Sequence, residues 1–131
     1  MKPLVVSLIL FIIPTFTVAQ NTDAGRVLFE NHCATCHGND AQGAGPMSQV
    51  LMIPPSDLTQ LSAKAGGTFP ISYLVAKVDG RVPLLSHGSP MPLFGPFFEG
   101  KGVAMRGDDG ILIMTSQPII DLVTYLETLQ E

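Results

Sequence analysis

The sequence predicts an all-α domain of three to five short helices, on three observations. Near the C-terminus, Ile119, Leu122, Val123, Leu126 and Leu129 recur at helical spacing behind Pro118. Strand-type alternation is nearly absent. Between the helical patterns lie stretches rich in glycine and proline, above all Arg81 to Asp109, which cut the chain into short pieces.

The chain has 131 residues, within the range of one domain. Residues 1–19 read as a signal peptide ahead of a single domain over 20–131. Lys2 supplies the positive start, and Leu4 to Ile13 form an apolar run interrupted only by Ser7. Pro14 breaks that run, and Thr17-Val18-Ala19 resembles a small-residue cleavage site. A membrane span needs about 20 apolar residues, roughly twice this run. An uncleaved N-terminal anchor is the alternative. No cysteine stands near Gln20, so a lipid anchor has no acceptor. Export predicts a periplasmic location.

Lys2 is the only charge in the leader, so the remaining chain sets six basic side chains against 11 acidic ones, a formal net charge of −5. That balance disfavours nucleic acid and suits a partner with a basic docking face. The positive mean hydropathy of +0.34 overstates the core, because the leader carries much of it.

In chain order, Asp23 to Asn31 reads as a helix capped by Thr22 or Asp23, with Val27, Leu28 and Phe29 apolar. Gly25 and Phe29 share one side of it. A helical glycine costs about 1 kcal/mol relative to alanine, so its presence predicts a second helix crossing closely there. Gly38 to Pro46 is a loop by composition. Ile53 to Thr59 holds two prolines and cannot be a helix centre; Asp57 is placed to cap a short turn through Leu61. Phe69-Pro70 to Val78 reads as a helix, with Ile71, Leu74, Val75 and Val78 on one face and Gly80 closing it. Arg81 to Asp109 is expected to be mostly irregular, with exposed turns at Gly100-Lys101-Gly102 and Arg106 to Gly110. So long a loop in a small domain needs something to hold it. The last helix is capped by Thr115 or Ser116. Met114 ahead of it is expected in the core or in a short strand.

The richest chemistry lies in Cys33-Ala34-Thr35-Cys36-His37. A C-x-x-C-H run is a c-type haem attachment site. Two thiols spaced by two residues can each form a thioether to a porphyrin vinyl group, and the adjacent imidazole can bind the iron. Three other readings compete. A thioredoxin-like redox pair wants a βαβ setting. A zinc site needs four ligands, and only His32, His37 and His87 could join the thiols. A structural disulfide leaves the following histidine without a role. One covalent haem also suits a small domain, since its apolar face adds to a modest core.

With His37 as proximal ligand, the second face of the iron takes methionine, histidine, water or nothing. The candidate methionines are Met47, Met52, Met91, Met105 and Met114. Met91 stands in Ser89-Pro90-Met91-Pro92 within the long loop, and flanking prolines leave its backbone little entropy to lose. His87, four residues earlier, is the rival ligand, or else a loop histidine near a propionate or solvent. His32 is expected to be exposed and to point away from the haem.

Taken together, these residues resemble a class I (monohaem) cytochrome c of the small bacterial exported type, over about Asp23 to Leu129. Gly25 and Phe29 ahead of Cys-Ala-Thr-Cys-His are similar to that family's first helix, and Leu122 with Tyr125-Leu126 to the last helix that crosses it. Met91 in Pro-Met-Pro is similar to the family's distal methionine. The resemblance implies that Pro46, in the glycine-rich loop, offers its carbonyl to His37. It also implies the cytochrome c fold, with the helices wrapped around one haem c. The implied function is one-electron transfer in the periplasm with His/Met ligation, not catalysis, by a monomer or a subunit serving redox protein partners, without stable membrane insertion after cleavage. Two alternatives stand beside it: a haem subunit bound permanently to a periplasmic dehydrogenase or oxidase, and an open-site haem enzyme such as a small peroxidase. Residues 94–114 form a longer insert than many small members carry.

Overall fold

In the computed structural model, which describes residues 20–81, 91–92 and 94–131, the first element is α1 (Thr22–His32). The signal segment expected over 1–19 and the rival ligand His87 lie outside the described residues. Asn21 caps α1, its side-chain oxygen accepting the Ala24 N–H at 3.0 Å. The cap thus falls ahead of the expected Thr22 or Asp23. Asp23 lies instead in the first turn, where a negative charge suits the helix N-terminus.

Only Cys33 separates α1 from the short α2 (Ala34–His37). Beyond Gly38 the chain loops to a 3-10 turn at Pro46–Val50, runs irregularly through the two prolines, and enters α3 (Leu61–Lys64). Asp57 closes a turn before α3 by accepting Thr59 N–H at 2.9 Å and Thr59 Oγ1 at 2.6 Å. Helix α4 (Ile71–Asp79) starts just after Pro70 and buries Leu74, Val75 and Val78; left-handed Gly80 ends it.

The stretch expected to stay irregular contains a hairpin. Strand β1 (Gly102–Arg106) pairs antiparallel with β2 (Leu112–Ser116), Val103 opposite Thr115 and Met105 opposite Ile113. Its alternation spans only five residues, with Val103 and Met105 buried and Ala104 and Arg106 exposed. Flanking glycines hide so short a signal. The turn between the strands, anticipated at Arg106 to Gly110, is closed by Gly107 N–H to Ile111 O at 2.8 Å and by Arg106 Nη1 to Gly110 O at 2.8 Å. Met114 belongs to the strand and not to the core: it faces outwards opposite Ala104, 63% exposed.

Helix α5 (Gln117–Thr128) takes Pro118 in its first turn. Ser116 holds the cap position, but its hydroxyl donates to Phe98 O at 2.5 Å and caps nothing. Helices α1 and α5 cross at Gly25, as the helical glycine predicted. A Cβ there would overlap the Asp121 carbonyl and meet Tyr125 Cβ at 2.8 Å. Phe29 packs its ring on Tyr125, with centroids 5.6 Å apart, and is fully buried, which stabilises by about 1.5–3 kcal/mol. The core between these helices, α4 and the inner face of the hairpin joins Phe29, Val75, Phe98, Ile119, Ile120 and Leu122. The frame is helical, as predicted, with the hairpin added to it.

Candidate functional site

The backbone of one turn sets the attachment motif. Cys36 and His37 donate their N–H groups to Cys33 O at 3.1 and 2.9 Å, and Gly38 does so to Ala34 O at 2.8 Å. Residues three apart on such a turn lie on one side, so the thiols of Cys33 and Cys36 share a face. Both are free. Burial, and secondarily the neighbouring Cys36, push the Cys33 thiol up to about 12. A thiol held protonated is a poor exchange nucleophile, and the chain around it is helical rather than βαβ. The thioredoxin-like reading fails on both counts. Among the described residues no three His, Cys, Asp or Glu side chains converge.

His37 is half-buried, and its Nδ1 lies 2.9 Å from Ser56 O. A carbonyl only accepts, so Nδ1 carries the proton and Nε2 is left as a free lone pair. Burial lowers the His37 pKa, partly opposed by this hydrogen bond. The ring is therefore neutral near pH 7, as a metal ligand must be.

The acceptor for His37 is not Pro46. Pro46 opens the 3-10 turn at Pro46–Val50, where carbonyls aim along the turn axis at N–H groups three residues on. The segment carrying Ser56 lies alongside the imidazole instead, tied back by Leu58 N–H to Ala41 O at 2.8 Å. Sequence reasoning expected a backbone carbonyl but missed Ser56, because every residue carries one and no side chain marks which of them meets the ring.

Met91 is half-buried and packs against the same core that contains Cys33 and Ala34. The segment after it is anchored by aromatic contacts the sequence reading did not foresee. Phe94 and Phe98 stack at 5.7 Å, and the His32 ring meets their edges at 6.2 and 5.2 Å. His32 is exposed, as expected, but it braces the chain just beyond Met91. Gly95 adds a backbone contact, a Cβ there falling 2.5 Å from Asp79 O.

These residues fit a covalent c-type haem. The thiols share one turn, the imidazole presents a free Nε2, and a thioether is packed on the same core. Val50, Met52 and Ile53, on the segment between His37 and Ser56, expose apolar surface of the kind a porphyrin covers. A family model described as Cytochrome c matches residues 22–130. No curated protein and no solved structure matches this chain.

Proposed function

The chain belongs to the cytochrome c family, whose members carry electrons on covalent c-type haem, and on that premise we propose a periplasmic one-electron carrier ligating iron through His37 and Met91. The observation that carries this reading is the His37 Nδ1–Ser56 O hydrogen bond, which leaves Nε2 available in a neutral ring. Bound haem supplies a centre that gains and loses one electron. Cys33 and Cys36 tether it. Thioether ligation by Met91 raises the reduction potential above that of a bis-histidine site. Export through residues 1–19 suits the haem attachment motif. Among the described residues no helix is long and apolar enough to cross a membrane.

The partner in this reading is a redox protein with a basic docking face. It is supported by the net charge of −4 and by an open cleft beside the attachment turn with Asp40 and Glu30 in its wall, Glu30 also pairing with Arg26 at 3.1 Å. A permanent haem subunit of a dehydrogenase or oxidase is the second reading. It is favoured by the outer face of the hairpin, where Leu112 and Met114 lie exposed side by side with Ala104. Co-purification of the tagged, exported protein separates the two: a free carrier elutes alone.

Visible spectroscopy tests the ligand set. The ferric protein shows the weak long-wavelength band of iron bound to a thioether, and Met91→Ala abolishes it. Survival of the band in that variant moves the role to another methionine. A parent without the band whose reduced form binds carbon monoxide is an open-site haem protein, and the carrier reading is then wrong.

A further inference from the structure

The loop between His37 and Pro46 touches both partners of the imidazole hydrogen bond at one residue. Gly43 donates its N–H to His37 O at 2.7 Å. On its other side a Cβ would run into Pro55 O and approach Ser56 C at 3.2 Å. Its φ of +86° is left-handed backbone that glycine adopts without strain. Neighbouring bonds brace the same clamp: Gly45 N–H to Cys36 O at 3.1 Å and Leu58 N–H to Ala41 O at 2.8 Å.

We propose that Gly43 is a positioning residue for electron transfer: its bare Cα sets the separation between the His37 turn and the Ser56 segment, and with it the strength of the Nδ1–H···O bond that tunes the iron ligand. Donation of Nδ1–H to a carbonyl makes Nε2 a stronger donor. A stronger donor favours the more positive ferric iron. A side chain at position 43 pushes Pro55-Ser56 away, weakens the bond and shifts the equilibrium toward the ferrous form. The inference rests on the reading that His37 binds the iron.

The test is the reduction potential of haem-loaded Gly43→Ala. The ferric–ferrous equilibrium should move about tenfold toward ferrous, at the lower end of what losing a hydrogen bond behind a ligating imidazole changes, a rise of ~59 mV for a one-electron couple. The His37 Nδ1–H should also exchange faster with solvent in the reduced protein. Gly66→Ala is the control. Gly66 has a φ of +79° and nothing within 4 Å, so it carries the same backbone strain without the contact. That variant should leave the potential unchanged.

If Gly43→Ala loads haem, it decides alone; an unshifted or lowered potential overturns the proposal. If it yields no folded protein, Pro55→Gly decides. That change loosens the Ser56 segment without adding atoms and should raise the potential, and no rise overturns the proposal. The parent's optical spectrum reports His37 ligation separately. A parent that lacks it sinks the functional reading, whereas a normal parent with an unshifted variant sinks only this one.

Discussion

Cys33 and Cys36 differ in burial although they share one turn. Cys33 packs into the core at 8% exposure beside Ala34, while Cys36 is half-buried. If each thiol makes its own bond to the porphyrin, as proposed, losing one would not release the cofactor. Cys33→Ser is expected to retain haem by mass, with the reduced pyridine adduct absorbing at longer wavelength than the two-thioether parent. The double change with Cys36→Ser is expected to leave bare polypeptide after denaturation. An unshifted pyridine spectrum in the single variant would mean that Cys33 forms no thioether.

At the scale of elements, the α1–α5 crossing holds the frame. Gly25→Ala gains about 1 kcal/mol of helix propensity but drives a methyl group into the Asp121 carbonyl and against Tyr125. Overpacking of this kind costs about 1–3 kcal/mol, occasionally more, so the net change is a loss. Urea unfolding of the haem-loaded variant should show a lower midpoint, and a raised midpoint would refute the close crossing. The same helix end is held by Asp121, buried in α5, which accepts Asn21 N–H at 3.0 Å and Gln117 Nε2 at 2.8 Å.

The hairpin is pinned to α4 by charge. Asp108 in its turn accepts Ser72 N–H at 2.8 Å, and that bond holds the carboxyl below its ordinary value of 3.8. A carboxyl depressed in the folded state stabilises above its unfolded pKa, and the contribution is lost as pH falls through the folded one. The parent should therefore lose melting temperature faster than Asp108→Asn as pH drops below about 4. Parallel pH profiles would show that the contact contributes nothing.

For the whole molecule, acidic balance predicts encounter kinetics. Electron transfer with a basic redox partner should slow about tenfold as the Debye length shrinks from ~30 Å at 0.01 M salt to ~10 Å at 0.1 M. Stopped-flow rates across that range check it. Acceleration by salt would mean that the docking surfaces carry like charge.

Much of this was legible in the sequence, and for local reasons. The two thiols and the imidazole lie within five consecutive residues, so one turn of backbone fixes their relation. The Gly25 crossing could be foreseen because a helical glycine has an energetic cost that demands a cause. The hairpin escaped notice because its five-residue alternation sits among glycines, and burial of Val103 and Met105 depends on the helices they meet. What folding alone decided is the acceptor for His37. Every residue carries the same carbonyl, so no side chain marks Ser56, 19 positions away, as the one that meets the ring. The contiguous chain puts the two thiols and the imidazole on one turn. The choice of carbonyl behind the imidazole, and the spacing Gly43 allows it, exist only once distant backbone is packed together.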